Sequence, residues 1–189
     1  RQGEAKAIEL VETSPLQNDK VLVVYLPDCH ESLAGIIAGR LREHFHKPSF
    51  VLTRSEEGVK GSGRSIEAYS MYEELCKCKE LMTKFGGHPM AAGLSLAGEE
   101  MIEPFRRALN DNSMLTEEDF VEKVVIDVPM PITYITKNLI RQLSLLEPFG
   151  KGNTKPLFAQ KGLTVLNYRI FGKNLSLIHI SEPTRLALI

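Results

Sequence analysis

Two short segments hold the residues best suited to chemistry. Residues 86–93 read Gly-Gly-His-Pro-Met-Ala-Ala-Gly. Gly86 and Gly87 remove side chains just before His88, so backbone amides and an imidazole can reach one ligand together. Pro89 stiffens the exit, while Ala91, Ala92 and Gly93 leave room for close packing. A turn of this make-up suits a phosphate, which amide N–H groups and an imidazole donor can hold. A glycine-rich hairpin with a surface histidine is the competing reading, and local chemistry alone weighs the two evenly. Residues 60–65 read Lys-Gly-Ser-Gly-Arg-Ser. The Arg64 guanidinium can grip a phosphate with two prongs; Ser62 and Ser65, spaced by Gly63, can donate beside it. The segment fits neither the Gly-x-x-x-x-Gly-Lys-Ser/Thr nor the Gly-x-Gly-x-x-Gly pattern. Taken alone, such a stretch is more often an ordinary turn.

The remaining reactive side chains make no comparable group. The five histidines, His30, His44, His46, His88 and His179, are scattered, and none sits among carboxylates at two-metal spacing. No metal ligand set is therefore expected in this chain. Three cysteines argue against a disulfide framework and for a reduced, cytoplasmic setting. Cys76 and Cys78, two apart in a helical pattern, point to nearly opposite sides, which is poor geometry for a shared metal. Net charge is −1 and the isoelectric point about 6.6. Binding of nucleic acid through bulk charge is excluded, and any such contact needs a local patch. No apolar run approaches the roughly 18 residues of a membrane span, so no membrane partner is expected.

The elements that must position these residues alternate between strand and helix, which is an α/β pattern. Residues 4–13 read as a helix. Val21 to Leu26 is an unbroken apolar run, as in a strand buried on both faces of a parallel sheet. The loop at Cys29-His30 follows, then a helix with Leu33, Ile36, Ile37, Leu41 and Phe45 on one apolar face. Gly35 and Gly39 each cost that helix about 1 kcal/mol against alanine, tolerable if another backbone packs there. Ser49 to Arg54 and residues 59–65 read as strands. Met71, Leu75, Cys78, Met82 and Phe85 predict a further helix face, Ala92 to Leu96 a strand, and Met101, Ile102, Phe105 and Leu109 a last helix. Asn110 to Ser113 forms a polar break. Beyond it come a strand at Val124 to Val128, a helix over 134–146, and strands at Leu157 to Gln160 and Leu163 to Phe171.

Together the segments resemble the C-terminal half of the DHH phosphoesterases, the DHH-associated domain. A third stretch agrees. His30-Glu31-Ser32-Leu33-Ala34-Gly35-Ile36-Ile37-Ala38-Gly39-Arg40-Leu41 is similar to a Trp-His-x-Gly-Val-x-Gly-Ile-x-Ala-x-Arg-Leu run of the RecJ-like single-stranded-DNA exonucleases. Cys29 stands where that run has Trp, and Ser32 where it has its first Gly. Glu147 to Asn153, Glu-Pro-Phe-Gly-Lys-Gly-Asn, resembles the opening of the OB-fold domain in the same family. The resemblance covers roughly residues 1–173.

The resemblance implies an α/β DHH-associated domain over 18–113, with a mixed, mostly parallel sheet flanked by helices. Before it, 1–17 would end an inter-domain helix; after it, 118–174 would form a partial OB-fold. Residues 175–189 break the family pattern and read as a foreign read-through tail. The implied function is the substrate-binding half of a 5′→3′ exonuclease of DNA repair and recombination. Its Mn2+ or Mg2+ would be held by a DHH half of the parent chain, so this piece alone would be inactive. Single-stranded DNA and that DHH half are the implied partners. His88 would act on a phosphate oxygen as charge develops. Ser62, Gly63, Arg64, Ser65, Gly86 and Gly87 would bind phosphate, with His30 and Arg40 as weaker candidates. Tyr168, Arg169 and Phe171 would contact the strand from the OB-fold. Two other readings stay open: a phosphodiesterase of oligonucleotides or cyclic dinucleotides, and a non-catalytic nucleic-acid-binding subunit.

Overall fold

The computed structural model describes residues 2–121, 124–150, 152–162, 167–171 and 175–179. The chain divides into two compact units, Arg1–Glu122 and Lys123–Ile189. In the first, α1 (Gln2–Glu12) leads to β1 (Leu22–Tyr25), α2 (Glu31–Phe45), β2 (Ser49–Ser55), β3 (Gly58–Arg64), α3 (Met71–Lys77), β4 (Lys84–His88), β5 (Ala91–Leu96) and α4 (Ile102–Asn112). The strands form one sheet in the order β1-β2-β3-β5-β4.

The apolar run at Val21 to Val24 behaves as its composition requires. Alternate residues face opposite sides of the sheet, and both sides are covered. Leu22 and Val24 join Val51 and the α2 residues Ala34, Ile37, Ala38 and Leu41 in one core, closed by Ala7 and Val11 of α1. Val21 and Val23 join Phe50, Leu52, Leu94 and Leu96 in the other, under Met71 and Leu75 of α3 and Phe105 and Leu109 of α4. Phe50 and Phe105 meet edge to face with centroids 5.6 Å apart. Each buried side chain of this size contributes about 1.5–3 kcal/mol. The entry to β1 is tied to α4: Asn110 Oδ1 accepts from the backbone N–H of Lys20 and Val21, and the Arg106 guanidinium grips both oxygens of Asp19.

The mixed sheet between helices agrees with the sequence reading, but its expected parallel majority does not. Only β1 with β2 is parallel; β2–β3, β3–β5 and β4–β5 are antiparallel. Two short hairpins fix two of the three antiparallel pairs, β2–β3 and β4–β5. The β2–β3 connection turns at Glu56-Glu57 into Gly58, whose φ of 114° suits glycine. The β4–β5 connection is Pro89-Met90 alone. So few residues cannot make the crossover a parallel pair needs. Gly86, Gly87 and His88 therefore lie in an edge strand, and the turn comes after them.

Two helix faces also differ from the expectation. In α2, Leu33 and Ile36 are 47% and 62% exposed; the buried face is Ala34, Ile37, Ala38 and Leu41. That face mixes two alanines with Ile37 and Leu41, and Gly35 and Gly39 beside it lie against a side chain from β3. Phe85 belongs to β4, since α3 ends at Lys77 and a single turn, Lys79–Leu81, follows it.

In the second unit, β6 (Val128–Pro129) pairs in parallel with β7 (Phe158–Ala159), and α5 spans Lys137–Ser144. These are shorter than the sequence pattern predicts. The Glu147 to Asn153 segment is drawn together by Asn153, whose Nδ2 donates to the carbonyls of Leu146 and Pro148 at 2.8 and 3.0 Å. β8 (Asn167–Phe171) pairs antiparallel with β9 (Leu175–His179). β9 thus occupies the first five residues of the segment read as foreign; 163–166 and 180–189 lie outside the described residues.

Candidate functional site

The sheet registers gather the chemistry-bearing residues into rows. Residues opposite one another share a face, as do alternate residues along a strand. Arg64 of β3 and His88 of β4 both pair with Ala91 of β5. The next row is Ser62, Gly93 and Gly86, and the third is Lys60, Ser95 and Lys84. All three rows lie on the face that α2 covers over β2 and β3. Over β5 and β4 the helix no longer reaches, and a groove of about 320 Å³ opens there. Glu31 and Ala34 of α2 form one wall; Lys60, Ser62, Gly93 and Lys84 line the rest.

Glycine chemistry makes the floor. A Cβ on Gly86 would meet nothing within 4 Å, so this position is left open rather than packed. Gly87, one residue on, faces the other way. Its φ is 150°, and a Cβ would strike the Ala91 carbonyl. Gly63 belongs to the core side as well, where a Cβ would come within 2.5 Å of Phe50 and 2.7 Å of Met71. Gly61 would collide with Leu52 in the same way. The Gly-Ser-Gly-Arg alternation is therefore a strand's: glycines inward against large side chains, Ser62 and Arg64 outward.

Arg64 is the side chain that lies against α2. A Cβ on Gly35 would come within 2.8 Å of its Nη2, and one on Gly39 within 3.9 Å of its Cγ. The tight approach at Gly35 is thus made by the arginine side chain, while Gly39 meets its Cγ in ordinary contact. Nη1 donates to the Gly63 carbonyl at 2.8 Å, which fixes the orientation of the guanidinium. His88 is exposed, and its Nδ1 accepts from the Met90 N–H at 3.2 Å. That bond leaves the proton of the neutral ring on Nε2, the outward donor.

Other expected residues stand elsewhere. Ser65 is 1% exposed and its hydroxyl donates to the Tyr69 carbonyl, so it serves the fold beside the groove. His30 caps α2, its Nδ1 accepting from the Ser32 N–H at 3.2 Å. It lines a neighbouring depression with Asp28, Arg54 and Glu57, which shares Glu31 and Lys60 with the groove. Arg40 pairs with Glu43 at 2.9 Å on the exposed flank of α2. Tyr168, Arg169 and Phe171 lie in β8, opposite Ile178, Leu177 and Leu175; their side chains fall outside the described residues. Sequence reasoning did not assign Lys60, Lys84 or Glu31 to the site. Counting by two back from Arg64 reaches Lys60, but Lys84 needs the hairpin register. Lys60 pairs with Glu31 at 3.0 Å, and that hydrogen bond holds its ammonium above the ordinary lysine range.

The DHHA1 domain family model matches residues 18–113, and the chain belongs to that family. The RecJ OB domain model matches residues 126–183. The single-stranded-DNA-specific exonuclease RecJ of Bacillus subtilis (strain 168) is 36% identical over 173 residues, covering 89% of this chain and 22% of that protein. RecJ of Escherichia coli (strain K12) is 33% identical over 165 residues, covering 82% and 28%. RecJ from Thermus thermophilus in complex with Mg2+ superposes with a TM-score of 0.78 at 26% identity, covering 94% of this chain and 28% of that one. The same protein in complex with Mn2+ gives 0.78 at 28% identity. The chain thus spans less than a third of the length of these relatives.

Metal ions accompany both Thermus structures, so the donor set here bears on where they would sit. Among the described residues, no group of three or more His, Cys, Asp or Glu side chains converges. The described residues do not fit a two-metal centre, whose ions need several shared carboxylate or imidazole ligands. What this face offers is cations and hydroxyls, suited to an anion. No described helix is long and apolar enough to cross a membrane.

Proposed function

We propose that this chain forms the substrate-binding half of a 5′→3′ exonuclease that hydrolyses phosphodiester bonds of single-stranded DNA in repair and recombination. The observation that carries the reading is the row setting Arg64 and His88 on either side of Ala91, one row beyond Ser62 and Gly93, which line an open groove. Arg64 grips a backbone phosphate, and the Ser62 hydroxyl donates beside it. Gly86 lets the strand approach the sheet closely. β4 is an edge strand, so part of its backbone polar groups has no sheet partner and is free to meet the ligand. His88 donates from Nε2 to a phosphate oxygen, and that bond strengthens as charge builds in the transition state. We assign the Mn2+ or Mg2+ of the reaction to a DHH half of a longer protein, which is also this unit's partner. The setting we assign is the cytoplasm, which suits three free cysteines. The match to the RecJ OB domain favours this reading over a small oligonucleotide phosphodiesterase.

A direct titration with single-stranded DNA tests it. Arg64→Ala should weaken binding by about 1.5–3 kcal/mol, the worth of a hydrogen bond to a charged group. Unchanged affinity would remove Arg64 from the site and the reading with it.

A further inference from the structure

The third row of the groove has no task in the function proposed above. Lys60 and Lys84 flank Ser95, on the same face as Arg64 and His88 and two rows away. Rows on one face of a strand are roughly 6.6–6.8 Å apart, so the two cationic rows stand about 13–14 Å apart. Both lysines line the groove, and Lys60 also lines the depression at His30. Lys60 is paired with Glu31, while Lys84 makes no ion pair among the described residues. The row between them is Ser62, Gly93 and Gly86, which leaves the path between the cations uncluttered.

We propose that Lys60 and Lys84 form a second phosphate subsite, which makes the groove selective for strands long enough to span both cationic rows. This rests on the reading of the groove as a DNA-phosphate site. A dinucleotide engages the Arg64 and His88 row alone. A strand of about four nucleotides places a further phosphate between Lys60 and Lys84. Glu31 then loses Lys60 to the incoming phosphate, so it acts as a resident anion that short ligands cannot displace. The substrate class is a polymer rather than a dinucleotide, because the second row adds affinity only with length.

The test is anisotropy titration of the whole chain with thymidine di-, tetra- and hexanucleotides, in chelator and low salt. Wild type should bind the tetranucleotide roughly tenfold more tightly than the dinucleotide, as expected for a charge-assisted contact at a partly exposed site. Lys60→Met with Lys84→Met should abolish that step and lower the salt slope, each lost phosphate contact being worth about 0.7 on a single strand. Lys60→Arg with Lys84→Arg should retain the step. Glu31→Gln should enlarge it about twofold to fivefold. A step that survives the methionine pair, or is lost in the arginine pair, overturns the subsite. Arg64→Met reports on the underlying reading separately: weaker binding at every length upholds it whatever the lysines do. If Arg64→Met binds every length as wild type does, the groove reading fails. Absence of any oligonucleotide binding by the wild type overturns both.

Discussion

Arg64 owes its position to two residues that have no side chain. Gly35 and Gly39 cost α2 helix propensity, yet they clear the strip of helix surface along which the arginine lies. The clash foreseen at Gly35 is with Nη2, the far end of a mobile side chain, so Gly35→Ala moves the guanidinium rather than the backbone. The variant should keep or raise the unfolding midpoint, since alanine is better than glycine in a helix by up to about 1 kcal/mol. Its affinity for single-stranded DNA should fall about threefold to tenfold, part of the worth of the Arg64 bond. Thermal melts and titrations on the same sample read the two effects. A variant that melts higher and binds as well as wild type would show that the phosphate grip does not depend on this rotamer. His88 is set by a single backbone amide, that of Met90, so the turn after β4 determines which ring nitrogen faces the ligand.

Strands β3 and β4, on either side of β5, separate a packed glycine from an open one. Gly63→Ala should destabilise the first unit by about 1–3 kcal/mol, as overpacking against Phe50 and Met71 does. Gly86→Ala should leave stability within about 0.5 kcal/mol, because a Cβ there meets nothing, but should weaken DNA binding by narrowing the floor. Urea unfolding and titration of both variants check the contrast; equal stability losses would mean that Gly86 is packed. This division was only half legible in the sequence. The period of two that puts Lys60, Ser62 and Arg64 together is visible in residues 60–64. The alignment of Arg64 with His88 is not, because it depends on two registers through β5. The Gly-Gly-His run read as a turn since its composition favours one, whereas the chain turns at Pro89-Met90. Periodicity likewise placed Leu33 and Ile36 inward by their hydrophobicity. The helix instead turns Ala34, Ile37, Ala38 and Leu41 to the sheet, with Gly35 beside them against Arg64. Long-range packing decides such cases, and a local pattern cannot show it.

At the scale of the whole chain, a net charge of −1 is reconciled with the proposed anion site by placement. Arg64, Lys60 and Lys84 share one face, so attraction is local and falls steeply with salt. The core is just as unevenly distributed. Every buried apolar residue among those described lies between Ala7 and Leu115, inside the first unit, and the ties from Asp19 and Asn110 close that unit on itself. Between 124 and 162, no described residue is buried. A chain cut after residue 122 therefore retains both cores intact and should fold alone. It should unfold in one cooperative transition with a midpoint within about 4–8 °C of the whole chain's first transition, equivalent to about 1 kcal/mol. It should also bind the thymidine dinucleotide with the affinity of the whole chain, because all three rows of the groove lie within it. Circular dichroism melts and the same anisotropy titration decide the matter. A broad, non-cooperative melt would mean that the first unit draws stability from the second, and a cooperative melt with lost affinity would place part of the phosphate site beyond residue 122.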